Sequence, residues 1–195
     1  MYFTNAEKAL FKKLNTPAKV QDFLNGLKFN FEKKVETLRS PLFTMRAGQA
    51  HCFEGAMLGA YILSLHGFPP LVLHLKATKH DYDHVIAPFK IEGLWGALSK
   101  TNHAVLRYRE PVYKNIRELA MSYFHEYFLD DGTKTLREYS EPLNLNDFED
   151  GWETLEGDLW RIDQELAKVK HSDMFEISHG LLGGKRKLRT ADKDE

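Results

Sequence analysis

Hydrophobic positions recur at helical spacing in the first part of the chain. Thr4 and Glu7 have the spacing of a capping box, and apolar residues then follow every three or four positions to about Leu14. A second start signal, Thr16-Pro17, precedes a short amphipathic segment that stops at Gly26, a residue suited to the left-handed end of a helix. The pattern therefore predicts two short helices, after which alternating residues 27–31 predict a half-buried strand.

The middle of the chain contains its longest apolar stretch, residues 53–65, in which small residues allow close packing. Gly67 and Pro69-Pro70 follow it and prevent the helix from continuing. The stretch therefore predicts a buried central helix. Extended segments come next, and the last two of them form an antiparallel hairpin turned near Glu92-Gly93. The predicted strands are residues 71–77, 84–89 and 94–99. Pro88 predicts an edge position or a bulge, since proline cannot donate to a ladder.

Helical periodicity returns in the last third of the chain. Residues 113–128 predict a helix, 134–145 a strand and 155–169 another helix, and the residues after Gly183-Gly184 are polar and mixed in charge. The length of 195 residues fits a single domain. We therefore expect one α+β domain over residues 1–180 and a mobile tail over residues 181–195.

Composition narrows the functional classes. Apolar residues make up 43% and charged residues 28%, which is ordinary for a globular protein and excludes disorder as the main state. Lys and Arg number 27 against 28 Asp and Glu, so the basic excess typical of a nucleic-acid binder is absent. The most apolar run is far shorter than the roughly 20 residues of a membrane span. We expect a protein that binds neither nucleic acid nor membrane.

The N-terminal segment lacks the basic and apolar regions of a secretory signal. A single cysteine, Cys52, cannot form an internal disulfide. These observations predict a cytoplasmic protein.

Cys52 lies at the predicted start of the central helix, where unpaired N–H groups and the positive end of the helix dipole favour a thiolate over a thiol. The thiolate is the nucleophilic form of cysteine, and its base is usually a histidine from a distant part of the sequence. His84 begins the first strand of the predicted hairpin. The pair therefore predicts nucleophilic catalysis.

The residues around this pair resemble the transglutaminase-like branch of the papain-type cysteine enzymes. The segment GQAHC at 48–52 is similar to the family's approach to its core helix, and LHGFP at 65–69 to the end of that helix. DHVIA at 83–87 carries the histidine, and GLWGALS at 93–99 carries a tryptophan strand. The resemblance covers about residues 16–102. It implies a papain-like core, with the cysteine helix packed on an antiparallel sheet, to which this chain adds C-terminal helices.

The resemblance also implies an activity. Its members act as peptidases, amidases, deamidases or acyltransferases, so the expected substrate is a peptide, a protein or a small amide. Cys52 would form a thioester acyl-enzyme, and His84 would take the thiol proton and return it to the leaving amine. The resemblance implies neither a cofactor nor a metal.

The chain departs from the family at the position of its aspartate, which falls on Ser99. A two-residue turn would pair Ile86 with Ser99, and side-chain alternation would then place His84 and Ser99 on one face. A hydroxyl can accept from the ring N–H and fix the tautomer, though it stabilises an imidazolium less than a carboxylate does. Asn102 is the alternative orienting residue if the register shifts.

Gln49 precedes the cysteine by three residues. Its amide is a candidate oxyanion donor beside the Cys52 N–H; the alternative is a solvated loop residue.

Two other functions remain open at this point. The missing carboxylate favours a non-catalytic binding module on the same fold. His80, Asp81 and His84 have the chemistry of a zinc or iron site and suggest a metal-dependent hydrolase, although a loop-to-strand segment does not bring them onto one face. His51 is expected to be a bystander, since adjacent helical residues do not face each other, and Glu54 is expected to be structural.

Overall fold

The computed structural model describes residues 2–32 and 35–175 and has a mixed α+β fold. Within these ranges it contains six α-helices and two short 3₁₀ turns. The helices are α1 Asn5–Lys13, α2 Pro17–Gly26, α3 Pro41–Ala47, α4 Cys52–Ser64, α5 Ile116–Phe124 and α6 Trp160–Lys168. The α+β class is confirmed. The predicted domain end at residue 180 and the tail 181–195 lie outside the described residues.

The strands form one large sheet and one small one. They are β1 Lys28–Phe29, β2 Gln49–Ala50, β3 Leu71–Ala77, β4 His84–Ile91, β5 Leu94–Ser99, β6 Arg109–Tyr113, β7 Leu136–Ser140, β8 Leu143–Asn144 and β9 His171–Asp173. The large sheet has seven antiparallel strands in the order β6-β5-β4-β3-β7-β9, with β8 also paired to β3. The small sheet pairs β1 with β2 in parallel.

The capping signals near the N-terminus function as predicted. Thr4 Oγ1 accepts from the Glu7 N–H at 3.2 Å, and Glu7 Oε2 accepts from the Thr4 N–H at 2.6 Å. The Thr16 side chain caps α2 in the same way. Helix α3 was not predicted from the sequence; it begins at Pro41, a residue well suited to the first helical position.

The register of the central hairpin is the predicted one, with Ile91 opposite Leu94 and Ile86 opposite Ser99. Pro88 does not lie on an edge strand, because β4 runs between β5 and β3. However, the pairing of β3 with β4 ends at Leu73 and Ile86. Pro88 lies beyond that point, so its missing N–H removes no bond from this ladder.

The C-terminal third differs more from the sequence prediction. The helix predicted over 113–128 is confined to Ile116–Phe124, because Tyr113 belongs to β6, which was missed. The strand predicted over 134–145 is divided into β7 and β8, and β9 was also missed. The three-residue β9 follows α6 directly and is defined only by its pairing with β7.

Two glycines allow the central helix to lie directly on the sheet and on α2. A Cβ atom built at Gly55 would come within 2.3 Å of Lys100 Cβ, and one at Gly59 within 2.8 Å of Leu98 Cδ1. The backbone of α4 therefore approaches the end of β5 more closely than any side chain would permit. This contact fixes the start of α4 beside the ends of β4 and β5. Among the described residues, no helix is both long enough and apolar enough to cross a membrane.

Candidate active site

Cys52 is the first residue of α4 and is only partly buried. The rest of the helix is almost entirely apolar and enclosed, so packing of the helix body fixes the position of its first turn. The first N–H groups of a helix have no partners within it, and they carry the positive end of its dipole. The predicted position of the thiol at a helix start is therefore correct.

His84 is the first residue of β4 and is buried. Its Nε2 atom lies 2.8 Å from Ser99 Oγ, and that hydroxyl donates to the Leu106 carbonyl at 2.5 Å. A hydroxyl has one proton, so Ser99 must accept from His84 Nε2–H. The bond fixes the ring orientation and leaves Nδ1 as the nitrogen available to the thiol. The predicted contact between His84 and Ser99 is thus present.

Further contacts hold Ser99 in place. Its N–H donates to Gln21 Oε1 at 2.9 Å, and Gln21 Nε2 donates to the Ser99 carbonyl at 2.8 Å. Leu106, which accepts from the hydroxyl, has a left-handed backbone with φ of 60°. Such a conformation is unfavourable for leucine and persists only where the surroundings impose it. Here its N–H donates to Glu126 Oε2 at 3.0 Å.

Two histidines, not one, act on the Cys52 thiol. Burial raises the pKa of the thiol. Hydrogen bonding with His51 and His84 and the charges of both rings outweigh this effect and lower the pKa to about 5. A cysteine with this pKa is a thiolate at neutral pH.

The expectation that His51 would be a bystander is wrong. His51 is the N-cap of α4 and has an extended backbone, with φ −92° and ψ −170°. The rule that adjacent helical residues point apart does not apply to a residue outside the helix. Burial lowers the pKa of His51, but the hydrogen bond and charge of Cys52, with the charge of Glu54, raise it to about 9.

Glu54 supports this arrangement from a fully buried position. Its Oε2 atom accepts from the His51 N–H at 3.2 Å and from Asn30 Nδ2 at 3.1 Å. Its Oε1 atom accepts from Thr37 Oγ1 at 2.9 Å and from the Arg39 N–H at 3.3 Å. Glu54 therefore has the structural role expected of it, and it ties the start of α4 to Asn30, Thr37 and Arg39.

Asn102 and Gln49 are not brought to the His84 ring. Asn102 is exposed in a bend after β5, and Ser99 occupies the orienting position. Gln49 lies in β2 opposite Lys28, half-buried, so it is not the solvated loop residue considered as an alternative. Across the described ranges, no hydrogen bond is seen from its side-chain amide.

The candidate metal ligands point in different directions. Asp81 Oδ2 accepts from Thr135 Oγ1 at 2.5 Å, His84 contacts Ser99, and His80 is exposed. Residues 2–32 and 35–175 contain no group of three His, Cys, Asp or Glu side chains arranged to hold a metal ion.

Sequence reasoning also missed Tyr127, which falls near the end of the helix predicted over residues 113–128. Its hydroxyl donates to the Tyr82 carbonyl. Burial, followed by the charges of Asp81 and then Cys52, raises the pKa of Tyr127 above the ordinary value. Its proximity to the thiol depends on how the chain returns after α5, which no local pattern indicates.

No protein-family model matches the chain, and no curated protein matches it either.

Proposed function

We propose that the chain is a cysteine-dependent hydrolase or acyltransferase that acts on a peptide or carboxamide bond through a thioester acyl-enzyme. The observation that supports this most is a Cys52 thiol acted on by His84, whose ring is fixed by hydrogen bonds that run through Ser99 to the Leu106 carbonyl. It combines a nucleophile, a base and a group that orients the base, which is the arrangement covalent catalysis requires.

The proposed reaction begins when His84 Nδ1 has taken the thiol proton. The thiolate attacks the carbonyl carbon, and a C–S bond forms while the carbonyl electrons move to oxygen. Collapse of this intermediate breaks the C–N bond, and the leaving amine takes the proton from Nδ1. His84 is then neutral with its remaining proton on Nε2, the tautomer that donates to Ser99.

Release of the acyl group completes the reaction. Water gives a proton to His84 Nδ1 as its oxygen attacks the thioester carbon, and the C–S bond breaks with its electron pair returning to sulfur. An amine in place of water would transfer the acyl group instead. The Cys52 N–H and the Gln49 amide are the proposed donors to the oxyanion.

The order of the elements that carry Cys52 and His84 supports a proposed relationship to the transglutaminase-like fold. Helix α4 with the cysteine, followed by β3, β4 with the histidine and β5, corresponds in order to the core of the transglutaminase-like enzymes. We propose that these elements form a papain-like core, with α5 and α6 as additions.

A second candidate is a binding module without turnover. It is favoured by one observation: His84 contacts a hydroxyl where a carboxylate would stabilise the imidazolium more strongly.

Covalent labelling separates the two candidates. An electrophilic acyl probe, such as a peptide thioester, should modify wild-type protein at Cys52, with the site mapped by mass spectrometry. The Cys52→Ser variant should remain unmodified. A thioester that forms and then hydrolyses supports the enzyme. Two outcomes favour the binding module. In one, the acyl label forms but is not released; in the other, no acyl label forms although iodoacetamide still alkylates the thiol.

A further inference from the structure

The two imidazoles beside the Cys52 sulfur have different surroundings. His84 faces the Ser99 hydroxyl, a neutral group that accepts one hydrogen bond from the ring N–H. His51 faces a backbone carbonyl and two carboxyl groups. The same side chain is therefore placed in two electrostatic settings on either side of one reactive atom.

The Nε2 atom of His51 is committed to donating. It lies 2.6 Å from the Thr37 carbonyl, which can only accept. Glu32 Oε1 lies 3.5 Å from the same nitrogen and Glu54 Oε2 3.7 Å. Nearby carboxyl groups favour the protonated ring. With the cation retained, His51 acts on Cys52 as an imidazolium beside a thiolate.

Other charged groups around His51 do not cancel the effect of these carboxyl groups on the ring. Asp163 of α6 interacts electrostatically with His51 as a further acidic group. The nearby base is Arg39, whose Nη1 lies 3.5 Å from Glu54 Oε1, on the carboxyl group rather than on the ring. His84 approaches the sulfur itself. The acidic groups Glu32, Glu54 and Asp163 thus outnumber Arg39 in the surroundings of His51.

We propose that the two histidines have separate duties: His51 is a fixed cation that keeps Cys52 as a thiolate, and His84 moves the proton during turnover. The second duty rests on the proposed function, whereas the first does not. In a simple cysteine–histidine pair, one ring both stabilises the thiolate and transfers the proton. Here the sulfur would keep a cationic partner after His84 has given its proton to the leaving amine.

The rate of iodoacetamide alkylation against pH tests the division on the full chain. Wild type should react with a midpoint near the thiol pKa of about 5. His51→Gln should move the midpoint to about 7, which slows alkylation at pH 6 about 10-fold. His84→Gln should move it less. His66→Gln is the matched control, since its ring also contacts a backbone carbonyl, Phe11 O at 2.9 Å, away from the thiol.

A midpoint that moves as far in His84→Gln as in His51→Gln, or farther, would overturn the proposal. Titration of the histidine rings by NMR in wild-type protein gives a test that needs no stable His51 variant. The His51 ring should remain protonated at pH 8, and Glu32→Gln, at a partly exposed position, should lower its titration midpoint. A neutral His51 ring at pH 8 would also overturn the proposal.

The alkylation experiment can separate the failure of this proposal from the failure of the proposed function. Alkylation reports the state of the thiol and requires no acyl transfer. A protein that alkylates as described but never forms or releases a thioester would retain the His51 assignment and lose the enzymatic one.

Discussion

The molecule contains two pairs of histidines that differ in what lies between the rings. At Cys52 the rings of His51 and His84 both act on one sulfur atom. In the sheet, His74 of β3 meets His171 directly, with Nδ1 and Nε2 3.0 Å apart, and Asp83 Oδ2 lies 3.1 Å from His74 Nε2. The first pair surrounds a partly exposed nucleophile, whereas the second connects strands.

Proton counting shows how the sheet pair works. His171 Nδ1 must donate to the Val169 carbonyl at 2.6 Å, and His74 Nε2 donates to Asp83. The nitrogens that face each other can then share only one proton between them. The His74–His171 contact is therefore complete when the pair carries one positive charge, which Asp83 balances. Lys76, Glu138 and Asp163 are the other charged groups that act on this pair.

The difference shows what turns a histidine pair into a candidate catalyst. Both pairs have a negative partner, but the Asp83 carboxyl accepts from the Ala77 N–H as well and is a fixed structural ion. The partner in the other pair is a sulfur that can form a covalent bond. Substitutions at the sheet pair should therefore affect stability, and substitutions at the Cys52 pair should affect chemistry.

The largest expected effect is on turnover, when one histidine of each pair is substituted and the two variants are compared. His84→Gln should reduce thioester turnover by about 10²–10⁴-fold, the range for loss of a general acid–base group. His171→Gln should leave turnover unchanged, because its ring contacts no reacting atom. The measurement is release of acyl product after single-turnover labelling. Comparable losses in both variants would show that the sheet pair is part of the chemistry.

A smaller effect is expected at the group that orients His84. Ser99→Ala removes the hydroxyl contact at 2.8 Å and should slow acylation roughly 10-fold, the value of about one neutral hydrogen bond. Ser140→Ala is the control, because that buried hydroxyl accepts from the His74 N–H beside the other pair. Acylation rates equal in Ser99→Ala and wild type would remove Ser99 from the mechanism.

The smallest effect is on stability in acid. Burial, followed by the charge of His74, lowers the pKa of His171 against the opposing bond to Val169. The unfolded chain therefore binds that proton more readily, and stability falls as the pH drops through about 6.5. His171→Gln should weaken this dependence and lower the melting temperature at pH 7 by roughly 2–4 °C, for a contact worth ~1 kcal/mol. Thermal scans of both proteins from pH 8 to pH 5 provide the measurement. An unchanged acid dependence in the variant would contradict the assignment.

The sequence predicted those parts of the site that depend on local pattern. The apolar run after Cys52 required a helix start there, and the two-residue turn at Glu92-Gly93 determined that Ser99 would face the strand carrying His84. Both inferences needed only periodicity and a tight turn. The same kind of signal predicted α1, α2 and β3 nearly to the residue.

What the sequence could not show depends on distant contacts. His51 faces the thiol because the backbone before α4 is extended and because the Thr37 carbonyl holds its ring, which no periodicity encodes. Likewise, Asp83 pairs with His74 on a neighbouring strand, a contact that no local pattern indicates. Strands β6 and β9 were missed because pairing within the sheet, more than their own composition, defines them.

The hydrogen-bonded chain that orients His84 ends on the main-chain oxygen of Leu106. A carbonyl belongs to every amino acid, so no single substitution at position 106 can delete this acceptor. The orientation of the base can be altered there only by rebuilding the path of residues 100–108. The site is thus protected against point mutation at its outermost member and sensitive to insertions or deletions in that loop.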